Sequence, residues 1–321
     1  MDRVLVTDPI DPAGIALLAQ SAEVVRPPDT RPETLRALGR EADAVITRSR
    51  LPDDLFEAAP RIRAVMIHGT GTDLVNRAAA NERGVMVANI PGGNAQSVAE
   101  YCLFAIMLLA RNFPAIDKSL RSEAWDTARA LDNPAIEVEK KTLGIVGLGH
   151  IGKRLAKMCM GGLSMRVLGN QRRLDALPDG VEAATLDKLL AESDFVVLAC
   201  PLTPQTHHLM NAKRLAAMKK SAFLINVGRG PVIDEAALVE ALRNRTIAGA
   251  MLDVYEHYRL EPGHPLLSLP NAVLTPHLAG STRESRERVG RIAAEETLRM
   301  LAGQPPLSFV NPERKPWHPK T

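Results

Sequence analysis

The segment Leu143-Gly144-Ile145-Val146-Gly147-Leu148-Gly149-His150-Ile151-Gly152 decides the fold of this chain. An apolar run over residues 143–146 leads into a G-x-G-x-x-G sequence, and a helix-like segment follows it. Glycines at this spacing let the backbone turn tightly and approach a pyrophosphate, which then lies at the helix N-terminus. Because the motif stands between a strand and a helix, it predicts a dinucleotide site with contacts from Gly147, Gly149, His150, Ile151 and Gly152.

Strand-like and helix-like segments alternate on both sides of this motif. Apolar runs before it predict five strands, and runs from the motif onward predict six more. Such alternation is typical of parallel sheets with helices on both faces. The predicted fold class is α/β: a doubly wound parallel-sheet (Rossmann) domain for a cofactor and a smaller, flavodoxin-like α/β domain for a substrate. The predicted strands are 4–7, 23–25, 44–47, 64–67, 86–88, 143–146, 166–168, 195–198, 223–226, 248–252 and 273–275.

The length of 321 residues favours two domains over one core. An apolar helix is expected at about 96–110, and a helix at 283–302 is long enough to return the chain to the first domain. We therefore predict a discontinuous substrate domain, 1–97 with 288–321, and a dinucleotide-binding domain, 98–287. Locally, Thr30 and Glu33 have the spacing of a helix capping box, and the tail 311–321 is expected to be extended.

The composition argues against several classes of protein. Lys and Arg number 40 against 37 Asp and Glu, and only 3% of residues are aromatic, so the sequence lacks the basic stripe with stacking rings of a nucleic-acid surface. Cys102, Cys159 and Cys200 are isolated, which predicts free thiols and no metal site. No signal-peptide pattern opens the sequence, and the longest apolar stretch is too short to cross a bilayer. We expect a cytoplasmic protein without membrane or nucleic-acid partners.

The residues after the second strand of the Rossmann series bear on the type of cofactor. The dinucleotide fingerprint places an acid there, which binds the ribose 2′-hydroxyl of NAD. Here the sequence reads Asn170-Gln171-Arg172-Arg173, so the acid is missing. Because an arginine pairs with a 2′-phosphate that an acid would repel, the sequence favours NADP. Alternatively, Arg172 and Arg173 are solvated, and Asn170 and Gln171 bind the ribose of NAD.

Further motifs extend the pattern over nearly the whole chain. In this order they resemble those of the D-isomer-specific 2-hydroxyacid dehydrogenases, a family that includes hydroxypyruvate and glyoxylate reductases and phosphoglycerate dehydrogenase. The resemblance implies an NAD(P)-dependent enzyme that transfers a hydride between the cofactor and a small anionic 2-oxo or 2-hydroxy acid. The motifs are His68-Gly69-Thr70-Gly71-Thr72-Asp73, residues 94–100, Pro201-Leu202-Thr203, Asn226-Val227-Gly228-Arg229-Gly230, Leu252-Asp253-Val254 and Thr275-Pro276-His277.

The resemblance also implies a role for each matching residue. Arg229 matches the arginine that grips the substrate carboxylate and polarises its carbonyl, tasks that suit a permanently charged, bidentate guanidinium. His277 matches the acid/base, and an imidazole titrates close to neutrality. The backbone amides of Thr70 and Gly71 would bind the carboxylate. Further implied cofactor contacts are Cys200, Pro201, Val227, Gly228, Gly280 and Asp253, the last facing the nicotinamide.

The chain departs from the family beside the histidine. Most members carry a glutamate, at a fixed spacing after the arginine, that hydrogen-bonds the histidine and raises its pKa; here that position is Tyr258. Three alternatives remain: Glu261 fills the role from a longer loop, Glu256 reaches in, or Tyr258 occupies the site. The ungapped match at 263–266 favours Tyr258. A neutral partner would leave the pKa of His277 lower than an acid would, which predicts a more acidic optimum for reduction.

Three further expectations concern the substrate, the assembly and the class of function. Arg48, in Thr47-Arg48-Ser49-Arg50, resembles a residue near the distal phosphate in phosphoglycerate dehydrogenases, and a solvated turn is the alternative. The expected substrate is of the hydroxypyruvate/glyoxylate, phosphohydroxypyruvate or sulfopyruvate type. By resemblance, the helix at 96–110 implies a homodimer. The alternative function is a non-catalytic, dinucleotide-sensing protein, like the corepressors built on this fold.

Overall fold

The computed structural model describes residues 1–132 and 134–317, and these form two compact units. Unit 1 is Met1–Asn94 with Ser281–Thr321, and unit 2 is Ala95–Gly280. The boundaries predicted from the sequence, 97/98 and 287/288, separate a substrate domain from a dinucleotide-binding domain, and this division stays a prediction. Residues 318–321, the end of the predicted extended tail, lie outside the described residues.

Unit 1 contains a five-stranded parallel sheet in the order β2-β1-β3-β4-β5. The inner strand β1 (Asp2–Val6) shows how both faces are covered: Val4 and Val6 lie in the core that contains Ala293 of the C-terminal helix, whereas Leu5 lies in the opposite core with Leu35. Burial on both faces explains why these strands read as continuous apolar runs. The strands are β1 (Asp2–Val6), β2 (Ala22–Val25), β3 (Ala44–Thr47), β4 (Ala64–Ile67) and β5 (Met86–Ala88); the helices are α1 (Pro12–Ala19), α2 (Pro32–Gly39), α3 (Leu55–Ala58), α4 (Arg77–Glu82) and the C-terminal helix Arg283–Leu301.

Unit 2 contains a seven-stranded parallel sheet with helices between its strands. Its strands are β6 (Thr142–Val146), β7 (Arg166–Asn170), β8 (Glu182–Ala183), β9 (Phe195–Leu198), β10 (Phe223–Asn226), β11 (Gly249–Leu252) and β12 (Ala272–Leu274), in the order β12-β11-β10-β9-β6-β7-β8. Its helices are α5 (Ala95–Ala110), α6 (Phe113–Ser122), α7 (Trp125–Arg129), α8 (His150–Leu163), α9 (Leu186–Glu192), α10 (Ala212–Ala216) and α11 (Glu235–Arg243), and the C-terminal helix is α12.

The predicted α/β class and doubly wound sheet are confirmed, with two local corrections. The strand β8 was not predicted, because its two residues are exposed and form no apolar run. The prediction of a capping box at Thr30 and Glu33 was wrong: α2 begins at Pro32, its N-cap is Arg31, and no side chain caps it. Proline favours the first helical position, which moves the N-cap one residue beyond Thr30.

Each sheet has a point at which the strand order reverses. In unit 1 this point lies between β1 and β3, and in unit 2 it lies between β6 and β9. Ligands of open α/β sheets bind beyond the carboxyl ends of the strands at such switch points. The expected ligand-binding edges are therefore formed by residues 7–8 with 47–49 in unit 1 and by 147–150 with 199–200 in unit 2.

No single described helix is both long and apolar enough to cross a membrane. The helices α5 and α6 reach that length and composition only when they are counted together, and they are bent by 60° where they join.

Candidate active site

The glycines of the dinucleotide motif differ in the space around them. Gly147 has φ +98°, and a Cβ there would lie 2.7 Å from the backbone nitrogen of Cys200. A Cβ at Gly152 would collide with the carbonyl oxygen of Gly147, whereas a Cβ at Gly149 would meet nothing within 4 Å. Gly149 is also the N-cap of α8, which begins at His150 without a side-chain cap. The helix N-terminus therefore has open space on the side of Gly149, as a bound pyrophosphate requires.

At the end of β7 and in the loop after it, two amide side chains are hydrogen-bonded, whereas two arginine side chains are not, within the described residues. The Nδ2 group of Asn170 donates to the carbonyl of Ala184 at 2.8 Å, and Gln171 donates to two carbonyls of its own loop. Arg172 and Arg173 are exposed, and their guanidinium groups make no hydrogen bond or ion pair within residues 1–132 and 134–317. The amides are already engaged, and both arginines are available to an anion.

Arg229 is fixed by the turn that follows β10. The fully buried side chain of Asn226 donates to the Arg229 carbonyl at 3.0 Å and accepts from the Gly228 N–H at 3.1 Å. The Nη1 group of Arg229 donates to the carbonyl of Gly228 at 2.9 Å. A Cβ at Gly230 would overlap the carbonyl oxygen of Tyr255, so only glycine permits this close backbone contact. A cation is thereby held at the carboxyl edge of the sheet.

Asp253, which follows β11, holds the turn that carries His277. Its carboxylate is buried and accepts from the Thr275 hydroxyl at 2.6 Å, the Leu278 N–H at 2.7 Å and the Ala279 N–H at 2.9 Å. Its carbonyl accepts from the His277 N–H at 2.9 Å. His277 itself lies in the left-handed region, with φ +56°. The sequence did not reveal this structural role, and the implied contact of Asp253 with the nicotinamide stays a prediction.

Two half-buried phenols reinforce the same turn. The Tyr101 hydroxyl shares a hydrogen bond of 2.6 Å with the Thr275 hydroxyl, and the Tyr255 hydroxyl donates to the Thr275 carbonyl at 2.9 Å. Burial raises the pKa of Tyr101 and raises the pKa of Tyr255 to about 12, so both phenols stay neutral near pH 7. Neither residue was a candidate from the sequence. The third tyrosine of the chain, Tyr258, also lies beside this turn.

Of the three alternatives for a partner of His277, the structure brings Tyr258 to it. The two ring centroids are 6.1 Å apart, and the ring planes cross at 63°. The carboxylate of Glu256 instead faces Nε2 of His208 at 3.2 Å. The side chain of Glu261 is exposed and forms no hydrogen bond or ion pair with any residue that the structure describes.

In unit 1, Thr70 and Gly71 belong to a loop that follows β4. The Thr70 hydroxyl donates to the Ile90 carbonyl at 3.1 Å, and the Asn89 side chain donates to the Thr70 carbonyl at 2.7 Å. Within the described part of the chain, the N–H groups of Thr70 and Gly71 donate to no acceptor. Two consecutive free N–H groups suit an anion such as a carboxylate.

Arg48 lies at the switch point of unit 1, beside a buried histidine. The Asp8 carboxylate accepts from the N–H groups of Arg48 and Ser49, each at 3.0 Å, and so fixes the turn. The guanidinium of Arg48 is exposed and has no hydrogen-bond or ion-pair partner among the described residues. Burial, followed by the charge of Arg48, lowers the pKa of His68 to about 4, so its imidazole is neutral near pH 7. Its Nε2 atom is buried without a hydrogen-bond partner.

The remaining predicted cofactor residues follow the carboxyl ends of strands in the unit 2 sheet, except Gly280, which is the last residue of that unit. All three cysteines are free and buried, as predicted, and burial raises the pKa of the Cys200 thiol to about 11. No group of three or more metal-ligating side chains occurs among the described residues. Val227 is buried, Pro201 is exposed, Ile151, Gly228 and Gly280 are half-buried, and His150 is exposed.

The doubly wound fold, the dinucleotide loop and the Arg229 and His277 turns define a class of protein: NAD(P)-dependent oxidoreductases. Residues 103–279 match the family model described as D-isomer specific 2-hydroxyacid dehydrogenase, NAD binding domain. The chain is 37% identical to a glyoxylate reductase of Thermofilum pendens, over 97% of this chain and 95% of that relative. It is 35% identical to a D-3-phosphoglycerate dehydrogenase of Archaeoglobus fulgidus, over 96% of this chain and 59% of that relative.

A solved structure agrees with these sequence relatives. It is an NADPH-dependent glyoxylate/hydroxypyruvate reductase from Sinorhizobium meliloti in complex with NADP and malonate, with a TM-score of 0.84 and 30% identity. The match covers 100% of this chain and 99% of that one. The chain therefore belongs to the D-isomer specific 2-hydroxyacid dehydrogenase family. It is an NAD(P)-dependent 2-hydroxyacid dehydrogenase, which acts on the CH–OH group of its donor.

Substitution of two motif glycines separates cofactor binding from folding. We expect Gly149→Ala to keep the fold and to weaken NADPH binding by about tenfold or more, because the added methyl group occupies the open side of the helix N-terminus. We expect Gly152→Ala to lower the free energy of unfolding by about 1–3 kcal/mol, because its methyl group collides with backbone. Fluorescence titration with NADPH and urea unfolding measure the two effects. Equal loss of stability in both variants would contradict this assignment.

Proposed function

We propose that this enzyme reduces a small 2-oxo acid and prefers NADPH as the reductant. The proposed substrate is of the glyoxylate/hydroxypyruvate type, or carries a second anionic group, as phosphohydroxypyruvate and sulfopyruvate do. One observation carries the proposal: Arg229 follows β10 and His277 follows β12, and these strands flank β11 in one parallel sheet. A fixed cation and an imidazole therefore share one edge of unit 2.

The proposed roles follow from the chemistry of each group. Bound NAD(P)H supplies the hydride, which reaches the carbonyl carbon of the substrate. The guanidinium of Arg229 binds the carboxylate and polarises the carbonyl, since it is always charged and can bind through two N–H groups. His277 gives a proton to the carbonyl oxygen during reduction and takes it back during oxidation. The free N–H groups of Thr70 and Gly71 are assigned to the substrate carboxylate.

The preference for NADPH is supported by charge at the end of β7. Arg172 and Arg173 are exposed, and neither guanidinium has a carboxylate partner in the described part of the chain. Asn170 and Gln171 are engaged with backbone carbonyls instead. A ribose 2′-phosphate accepts charge-assisted hydrogen bonds from arginine, whereas a 2′-hydroxyl gains much less from the same groups.

The function is tested by the loss of nicotinamide absorbance with NADPH and, separately, with NADH. Glyoxylate, hydroxypyruvate, phosphohydroxypyruvate and sulfopyruvate form the panel. We expect turnover of at least one acid, faster with NADPH. In the double variant Arg172→Ala/Arg173→Ala, the KM for NADPH should rise by about tenfold or more and the KM for NADH should change little, because each lost charge-assisted bond is specific to the 2′-phosphate.

The matched control is Lys213→Ala/Lys220→Ala, which removes the same charge from two exposed positions elsewhere in unit 2. It should leave both KM values unchanged. An equal rise in both KM values for the arginine variant would contradict the assignment of the 2′-phosphate site. NADPH binding without turnover of any acid in the panel would contradict the proposed activity and would favour a sensor.

A second anionic group on the substrate is supported by the surroundings of Arg48. This residue lies at the switch point between β1 and β3, where open α/β sheets bind ligands. The Asp8 carboxylate is directed to the backbone of the turn and to the Ser49 hydroxyl, and it makes no ion pair with the Arg48 guanidinium. The buried Nε2 atom of His68 is a further polar atom that a ligand would satisfy.

Replacement of Arg48 distinguishes the substrate types. We expect Arg48→Ala to raise the KM for phosphohydroxypyruvate or sulfopyruvate by about tenfold or more, because a charge-assisted contact is lost, and to leave the KM for glyoxylate within about twofold. The control is Arg50→Ala, since Arg50 is already paired with Asp53 at 3.0 Å. Equal KM changes for all acids would show that Arg48 does not bind a distal anion.

We also propose a homodimer in the cytoplasm. The support for a dimer is a set of exposed apolar side chains on α5, α6 and α7, since exposed apolar patches mark protein contacts. These are Phe104, Met107, Phe113, Leu120 and Trp125. The support for a reducing compartment is that Cys102, Cys159 and Cys200 are free, buried thiols.

A further inference from the structure

Tyr258 is the most exposed aromatic ring in the described part of the chain, and it lies against the candidate acid/base. Its exposed fraction is 75%, yet its ring meets that of His277 with centroids 6.1 Å apart and planes at 63°. Edge-to-face pairs at 4.5–7 Å are a preferred arrangement of aromatic rings. An exposed ring in a defined contact with a reacting group suggests a functional role more than a packing role.

The backbone just before Tyr258 is held by two contacts. The Tyr255 hydroxyl donates to the carbonyls of Leu252 and Thr275, at 3.2 and 2.9 Å. The N–H of Glu256 donates to a carboxylate oxygen of Glu235 at 3.1 Å. The Tyr258 ring therefore follows anchored backbone, and Asp253 fixes the backbone of the His277 turn.

The charged groups around this segment are largely committed to other partners. The Asp253 carboxylate accepts from three donors of the His277 turn. Glu256 faces His208 at 3.2 Å, and Glu235 faces His264 at 3.1 Å. Further titratable groups are the phenols of Tyr101 and Tyr255, whose pKa values burial raises, and the exposed side chains of His257, Arg259 and Glu261. Position 258 itself contributes a neutral ring.

We propose that Tyr258 is a positioning residue for His277: its ring, rather than its hydroxyl, orients the imidazole. The proposal rests on the proposed acid/base role of His277. It assigns the orientation of the imidazole to a contact between rings. Consequently, the proton affinity of His277 should respond to a charge introduced at position 258.

Three substitutions of Tyr258 distinguish the effects of its ring, of its hydroxyl and of a charge at this position. Tyr258→Phe keeps the ring, so kcat and its pH profile should stay within about twofold of wild type. Tyr258→Ala removes the ring and should lower kcat by about tenfold with little change in the substrate KM, because the imidazole loses its alignment. Tyr258→Glu should raise the pKa of the proton-donor limb by about one unit or more, because a carboxylate favours the imidazolium. Since the side chain is exposed, all three variants should fold.

A spectroscopic readout is independent of turnover. The Cε1–H resonance of His277, assigned with His277→Gln, should carry a ring-current shift in wild type and in Tyr258→Phe that Tyr258→Ala removes. Titration of this resonance should give a higher pKa in Tyr258→Glu. Loss of kcat in Tyr258→Phe equal to that in Tyr258→Ala would overturn the proposal, since the hydroxyl would then be the active group. An unchanged resonance and kcat in Tyr258→Ala would also overturn it.

Failure of the proposed function gives a different result. In that case the wild type turns over no acid in the panel, although the His277 resonance still responds to Tyr258→Ala. Failure of the present proposal leaves wild-type turnover intact.

Discussion

The proposed catalytic edge of unit 2 depends on the hydrogen bonds that the buried carboxylate of Asp253 accepts. A buried charge is unfavourable unless hydrogen bonds compensate it, and here three donors from residues 275–279 do so. Those bonds fix the turn in which His277 adopts a left-handed backbone, a conformation that costs about 1 kcal/mol or more for a residue other than glycine. The end of one strand, β11, thus determines the position of the group that follows the next strand, β12.

Arg229 is held at the same edge by a similar set of hydrogen bonds. Asn226 ends β10 and folds the next three residues around its side chain, as Asp253 does for the His277 turn. In both turns a buried polar side chain at or just after a strand end satisfies backbone groups that would otherwise be unpaired. The backbone of Arg229 and His277 is thus held by neighbouring buried side chains. This division of roles explains why a cation and an imidazole can be placed reproducibly on loops.

Much of this fold could be predicted because its strands are buried on both faces and read as apolar runs between helices. Strand β8 escaped prediction because Glu182 and Ala183, which pair with β7, are exposed and form no apolar run. Arg229 and His277 are predicted as site residues through their local motifs. The support from Tyr101 could not be found in this way, since it lies 174 residues from Thr275 and meets it only in the folded sheet. The three alternatives at positions 256, 258 and 261 differed only in the path of one loop, which spacing alone does not fix.

The central claim is that Asp253 places His277 for proton transfer, and the most direct test is the kcat of Asp253→Asn for the best substrate of the wild type. The amide keeps the shape of the carboxylate but turns an N–H₂ group toward one of the N–H donors of the His277 turn. We predict a kcat lower by about tenfold to a hundredfold, because the imidazole loses its alignment with the substrate carbonyl. A kcat equal to that of the wild type would contradict the account.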